Sequence, residues 1–410
     1  MIMCFINNIL KYLSKIALLF SFFSLCYSVA YTQAADSLEK KTATLIFKGQ
    51  LSGWAGYSSG AELPLIIGGR YLPQLNLEVN GGTVRHDFEV AANLSGNGTM
   101  EPFRQSEWSG NLKLYRGWAR ISTDNAEIRI GLQKINFGSA TLLRPLMWFD
   151  RIDPRDPLQL TDGVWGALGR YYFSNNTNIW LWGLYGNTEQ RPWELGSTSE
   201  GVPEYGGRIQ FALPKGEAAL SFHHRKAETA SMISLLQQND PSTTVTPNVR
   251  ENRIGFDVKL DLSVGLWIEA SWTGKRADFD IYTNQELITV GTDYTFGIGN
   301  GLNVVFEHLL FSYDQNPLQF KNTGNLSALS ASYPLGLFDN ISYMSFYEWK
   351  SGGLYNFVNW RHTFKKTELY VMGYINPEQQ LMTGGGLTSS SRFTGKGIQV
   401  MLVFNHQLKK

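Results

Sequence analysis

Past residue 40 the chain alternates between polar and apolar positions. In Val84–Leu94, Arg85, Asp87, Glu89, Ala91 and Asn93 fall on one side of an extended strand, and His86, Phe88, Val90, Ala92 and Leu94 on the other. Arg253–Leu260 separates Arg253, Gly255, Asp257 and Lys259 from Ile254, Phe256, Val258 and Leu260. Ala126–Gln133 sets Glu127, Arg129, Gly131 and Gln133 against Ala126, Ile128, Ile130 and Leu132. A period of two marks strands with one wet and one apolar side. Eighteen such stretches are expected, near 43–57, 73–80, 83–94, 111–122, 126–135, 164–173, 178–186, 204–213, 217–225, 251–260, 264–274, 286–296, 303–313, 325–333, 340–348, 354–361, 367–376 and 397–406. Sixteen is the other count these boundaries allow.

A soluble sandwich would alternate in the same way, so the connections decide. Tight ones carry turn residues: Asn80-Gly81-Gly82, Thr123-Asp124-Asn125, Pro214-Lys215-Gly216, Asp261-Leu262-Ser263 and Gly299-Asn300-Gly301. Between them fall long ones, at 58–72, 95–110, 136–163, 187–203, 226–250, 275–285, 314–324 and 377–396. Short turns at one end and long loops at the other predict an all-β, transmembrane, antiparallel up-and-down β-barrel. An even count puts both termini at the short-turn end. No linker, charge block or repeat divides residues 36–410, so one domain is expected.

Composition agrees. Charged residues are 17%, below the ~25% of an ordinary soluble domain, with 41 glycines and 13% aromatics. The first 35 residues predict a signal peptide: Lys11 and Lys15, then an apolar run from Ile16 to Val29, then small residues at Ser28/Ala30 and Thr32/Ala34, placing cleavage between 30 and 35. Cys4 and Cys26 leave with it, so the mature chain has no disulfide or thiolate metal site. Losing Lys11 and Lys15 from 36 basic residues leaves 34 against 35 acidic ones, which gives no basis for nucleic-acid binding.

The 136–163 connection is the one with its own apolar anchors: Leu142, Leu143, Leu146, Trp148, Phe149 and Leu158. Long loops so anchored are usually functional, and this one is expected to fold into the lumen and narrow it. It brings Asp150, Asp153, Asp156 and Asp162 with Arg144, Arg151 and Arg155. Alternation sends Arg85, Arg116, Arg120, Arg129, Arg170, Arg208 and Arg225 to the lumen, with Glu78, Asp87, Glu89, Glu127, Glu204, Asp257, Glu269 and Asp293. The expected constriction is thus Asp150, Arg151, Asp153, Arg155 and Asp156 facing Arg116, Arg120, Arg129, Arg170 and Arg208. Pairing between these charges would pin the loop, and an acidic loop against a basic wall would set a transverse field. Aromatics near strand ends, among them Trp54, Tyr57, Tyr171, Trp180, Trp182, Trp349, Trp360, Tyr370 and Tyr374, suggest an interfacial girdle.

Together these features resemble a Gram-negative outer-membrane porin. The run Arg129 to Gly138 (RIGLQKINFG), followed by Ile152 to Pro157 (IDPRDP), is similar to porin-like barrels with an R-x-G-x-Q strand, an aromatic–Gly step and a D-P-x-D turn. The resemblance implies outer-membrane location, insertion by the barrel-assembly machinery and passage of small hydrophilic solutes. The chain departs from porins at its end, where Phe404 is followed by Asn405 to Lys410 rather than closing on an aromatic residue. A dedicated export barrel, for a surface polysaccharide or other envelope component, would share these features. His86, His223, His224, His308, His362 and His406 are scattered, and alternation sends His223 and His224 to opposite faces. No catalytic, cofactor-binding or metal site is therefore expected. No motif specifies the solute or whether the barrel works alone or as a homo-oligomer.

Overall fold

The computed structural model describes residues 42–101, 105–230, 248–377 and 393–409. The leader 1–35 lies outside the described residues. Eighteen strands follow one another: β1 (Thr42–Ser58), β2 (Leu65–Gly81), β3 (Val84–Glu101), β4 (Gln105–Ser122), β5 (Ala126–Gln133), β6 (Val164–Tyr172), β7 (Asn178–Leu184), β8 (Glu204–Leu213) and β9 (Gly216–Glu228), then β10 (Asn248–Asp261), β11 (Gly265–Lys275), β12 (Asn284–Phe296), β13 (Leu302–Asp314), β14 (Thr323–Pro334), β15 (Asp339–Glu348), β16 (Gly353–Thr363), β17 (Thr367–Ile375) and β18 (Lys396–Lys409). Each pairs antiparallel with its neighbours in sequence, and β1 pairs with both β2 and β18, so the sheet closes with no free edge. Closure is what hydrocarbon demands, because it offers no water to the N–H and C=O groups of an edge strand.

The alternation becomes an inside and an outside. On β10, Val249, Glu251, Arg253 and Asp257 are buried within the barrel, while Ile254 and Phe256 are exposed on its outer wall. On β18, Ile398, Val400, Leu402 and Phe404 face out and Met401 and Val403 face in. His223 is buried inside β9, and its neighbour His224 lies on the other face.

Two expectations need correction. Residues 58–72 and 95–110 are not long loops, since β2, β3 and β4 run through most of them. Their Gly, Ser and Asn content suggests turns, but the pairs Ile66–Thr99, Gly69–Gly96 and Gly96–Gly110 continue the ladder, and cross-strand pairing overrides local propensity. The girdle is also smaller than expected. Trp54, Trp182, Tyr370 and Tyr374 are buried inside, whereas Tyr57, Tyr171 and Trp349 are exposed outside.

If the outer wall meets lipid, a charge placed on it is costly. Val290, on the outer face of β12, is half exposed. Val290→Arg is expected to destabilise the barrel by about 2–4 kcal/mol, the range for a basic residue near the bilayer midplane. Reversible folding into lipid vesicles measures it, and an effect near zero would remove the lipid assignment.

Candidate functional site: an inward loop and the wall around it

The connection 134–163 crosses the lumen and is gripped on the far side by carboxylates. Glu307, on the inner face of β13, accepts the backbone N–H groups of Thr141 (2.6 Å), Leu142 (2.9 Å) and Leu143 (2.6 Å). The Trp267 indole N–H also donates to it (3.0 Å). Glu269 on β11 accepts from Ala140 N (2.8 Å) and Leu146 N (2.7 Å). Both carboxylates are fully buried. A buried carboxylate is tolerated only where several donors converge on it, and here the loop's own main chain supplies them. Gly138 is needed beside this grip: its φ is +106°, and a Cβ there would run into the Glu269 carboxylate.

Apolar side chains complete the seat. Ile135, Phe137, Leu146, Trp148 and Phe149 pack with Val164, Leu168, Trp182 and Leu184 of β6 and β7. Leu142, Leu143 and Met147 pack against Leu287, Leu309, Leu326, Phe346 and Phe357 on the opposite wall. Leu158 reaches Trp54, Tyr370 and Met401 on β1, β17 and β18. Gly255 leaves the gap on β10 that Leu146 and Trp148 fill.

The residues expected at the constriction divide into two groups. Arg116 and Arg208 hold the loop. Opposite the step from Ala91 to Ala92, the register passes from Arg116 to Leu114 and leaves Tyr115 unopposed. This bulge brings two basic residues to the loop's end. Arg116 donates to Thr161 O (2.9 Å), and Lys113 pairs with Asp162 (2.5 Å). Arg208 forms a buried two-pronged pair with Asp257 (2.5 and 2.9 Å), which also accepts from Ser139.

Arg120, Arg129 and Arg170 form the second group, partly open to the lumen on β4, β5 and β6. All three surround one carboxylate, Glu127, at 3.3, 3.8 and 3.2 Å. Arg120 also pairs with Asp87 at 2.7 Å. Arg129 lies over Trp118 (4.7 Å) and Arg170 over Trp180 (3.7 Å). Glu89 of β3 also faces Arg129 and Arg116, so with Arg116 counted four guanidinium groups stand against three carboxylates, leaving one unit of positive charge on this part of the wall.

The loop's acids are mostly neutralised within it. Asp150 is buried and paired with Arg144 (2.8 Å), and Asp153 pairs with Arg155 (2.8 Å). Asp156 accepts from Leu158 N (3.0 Å), closing a turn. Burial opposes the charge on Arg144, but Asp150, backed by Glu269 and Glu307, more than offsets it, so its pKa rises. Arg151 reaches the next inward connection, 185–203, pairing with Glu189 (3.1 Å) and donating to Gln190 O.

That second connection is absent from the sequence-based site. Trp193 joins the apolar cluster around Leu142 and donates to Arg144 O (2.9 Å). Glu194 is buried between Arg225 (3.0 Å) and Arg253 (2.8 Å). Glu307 is the other omission. Parity alone places it inside, between Val305 and Leu309 on a strand apolar on both faces. The stretch Gly56–Gly60 spells G-x-S-x-G, but Ser58 ends β1 and donates to Thr394 O (2.8 Å), which is not a strand-to-helix nucleophile elbow.

No protein-family model and no curated protein matches this sequence. Solved structures do match in fold. OccAB1 of Acinetobacter baumannii superimposes with a TM-score of 0.53 at 10% identity, over 90% of this chain and 97% of that one. OpdL of Pseudomonas aeruginosa gives 0.53 at 11%, over 91% and 99%. OccK5 (OpdH) of the same organism gives 0.52 at 11%, over 91% and 99%. The chain therefore has the fold of a porin-like outer-membrane barrel.

Glu307→Gln keeps the shape but turns an NH2 group toward main-chain N–H donors. Leaving one or two of them unsatisfied is expected to cost the loop about 1–6 kcal/mol, at about 1–3 kcal/mol each. Amide hydrogen exchange at Thr141–Leu143 is expected to speed up while the strands hold their protection. Unchanged exchange there would mean that Glu307 does not hold the loop.

Proposed function

We propose that this protein is an outer-membrane porin, a water-filled channel for passive diffusion of small hydrophilic solutes. Its constriction lies between the 136–163 loop and the arginine-bearing wall of β4, β5 and β6. The supporting observation is a closed 18-stranded wall, apolar outside and polar inside, with a loop anchored across its interior. A barrel of this size is too wide for wall side chains to fill, so water occupies what the loop leaves open. Residues 1–35 act as the export signal, and lipid contacts the outer wall of the mature barrel. Arg116 and Arg208 set the pore size by fixing the loop. Arg120, Arg129 and Arg170 give the passage its positive bias and orient dipolar solutes. Asp150, Arg151, Asp153, Arg155 and Asp156 shape the loop itself.

Conductance in planar bilayers tests this reading. The purified barrel is expected to form stable open channels that favour anions. Arg129→Ala with Arg170→Ala is expected to move the permeability ratio toward cations by roughly two- to fivefold, as befits removing two charges from a narrow, poorly screened passage. A barrel that inserts but never conducts would overturn the proposal. An unchanged ratio in the double variant would remove these arginines from the constriction.

A further inference from the structure

His223 sits under the inward loop in a setting that fixes where its proton can be. The ring is 1% exposed. Its Nδ1 lies 3.2 Å from the Trp182 indole nitrogen, and its Nε2 lies 3.3 Å from a Glu204 carboxylate oxygen. An indole N–H only donates, so Nδ1 must present a lone pair. The single ring proton is then on Nε2, facing Glu204. The imidazole is neutral by geometry.

The loop rests on this ring. Phe149 meets it edge to face (5.0 Å between centroids, 88°), and Trp148 lies 6.1 Å away. Trp182, the donor, is stacked on Phe137 (5.8 Å, 23°) and meets Phe149 at 5.3 Å. Two loop aromatics, Phe137 and Phe149, therefore depend on the position of Trp182, and Trp182 depends on the lone pair of Nδ1.

The surrounding charges are nearly all committed. On β9 and β10, Arg225 and Arg253 are held by Glu251 and by Glu194 of the 185–203 connection, and Lys275 of β11 sits at Glu251. Asp257 is taken by Arg208 of β8, and Asp150 by Arg144 within the loop. Glu204 is the carboxylate left in contact with the ring.

We propose that His223 is a proton-sensitive positioning residue for the constriction loop. Protonation adds an N–H at Nδ1 that points at the Trp182 N–H, and two donors cannot share that contact. Trp182 must then swing away, and its stack with Phe137 and Phe149 goes with it. Acid loosens the loop, and a pore that is steady at neutral pH fluctuates between conductance levels. This rests on the loop being the constriction, so the test carries one measurement that does not depend on conduction.

Amide exchange of Leu146–Phe149 is followed in the full barrel in detergent, at about pH 7.5 and about pH 5, on either side of the histidine range. Protection factors are expected to fall by roughly tenfold per pH unit at most, as one coupled proton allows. His223→Gln can accept from Trp182 through Oε1 and donate to Glu204 through Nε2, and it does not titrate. It is expected to keep its protection in acid. Trp182→Phe removes the opposing donor and is expected to do the same, covering the case in which the glutamine variant folds poorly. His224→Gln, on the outer face, is expected to retain the wild-type acid response. In bilayers, the wild type and His224→Gln flicker in acid, and the other two stay quiet. An acid response that survives in both His223→Gln and Trp182→Phe, or a wild-type loop whose protection does not change, overturns the proposal. Loss of protection without any conductance would leave the latch standing and remove the channel reading instead.

Discussion

The interior of this barrel depends on main-chain N–H groups finding acceptors away from any strand ladder. A segment that leaves the wall and crosses the lumen gives up the pairing that satisfies every strand. Glu307 and Glu269 replace that pairing, taking five loop N–H groups between them. Each interaction is reciprocal. The loop could not stay inside without the carboxylates, and the carboxylates could not stay buried in that setting without the loop's donors.

Around this grip the two sides of the lumen are furnished differently. The wall from β12 to β17 offers Leu, Phe and Met to the loop and is covered by it. The wall of β4 to β6 touches the loop through Lys113, Arg116 and, on β6, Val164 and Leu168, and beside these it carries partly exposed arginines resting on tryptophans. Arginine suits both duties because its fork can hold a carbonyl or carboxylate while its plane rests on an aromatic ring. Arg208 and Arg170 illustrate the two: one locked onto Asp257, the other lying on Trp180 beside a shared glutamate.

Much of this was legible in residue order because strand parity is strict. Val84–Leu94 and Arg253–Leu260 state their inner and outer faces directly, and turn chemistry marks which connections are short. Parity fails where both faces are apolar. Trp180-Leu181-Trp182 gives no polar marker, so its tryptophans suggest a girdle when they in fact line the inside. Glycine misleads in the opposite sense, since Gly68, Gly69, Gly96 and Gly110 read as loop but belong to paired strands. The loop itself stands out by its anchors, but its acceptors could not be named. Glu307 follows Thr141 by 166 residues, and nothing local to either announces the other.

That separation has a consequence for how the molecule is built. The loop emerges between β5 and β6, yet its acceptors arrive on β11 and β13, and part of its apolar seat only on β17 and β18. Until those strands have joined the sheet, the loop can rest its apolar side chains on β6 and β7, but its N–H groups lack their carboxylates and must be met by water. The grip on the loop therefore cannot close before β11 and β13 are in place. Contacts this distant along the chain are slow to form, so the grip on the loop belongs with the most non-local contacts of the barrel.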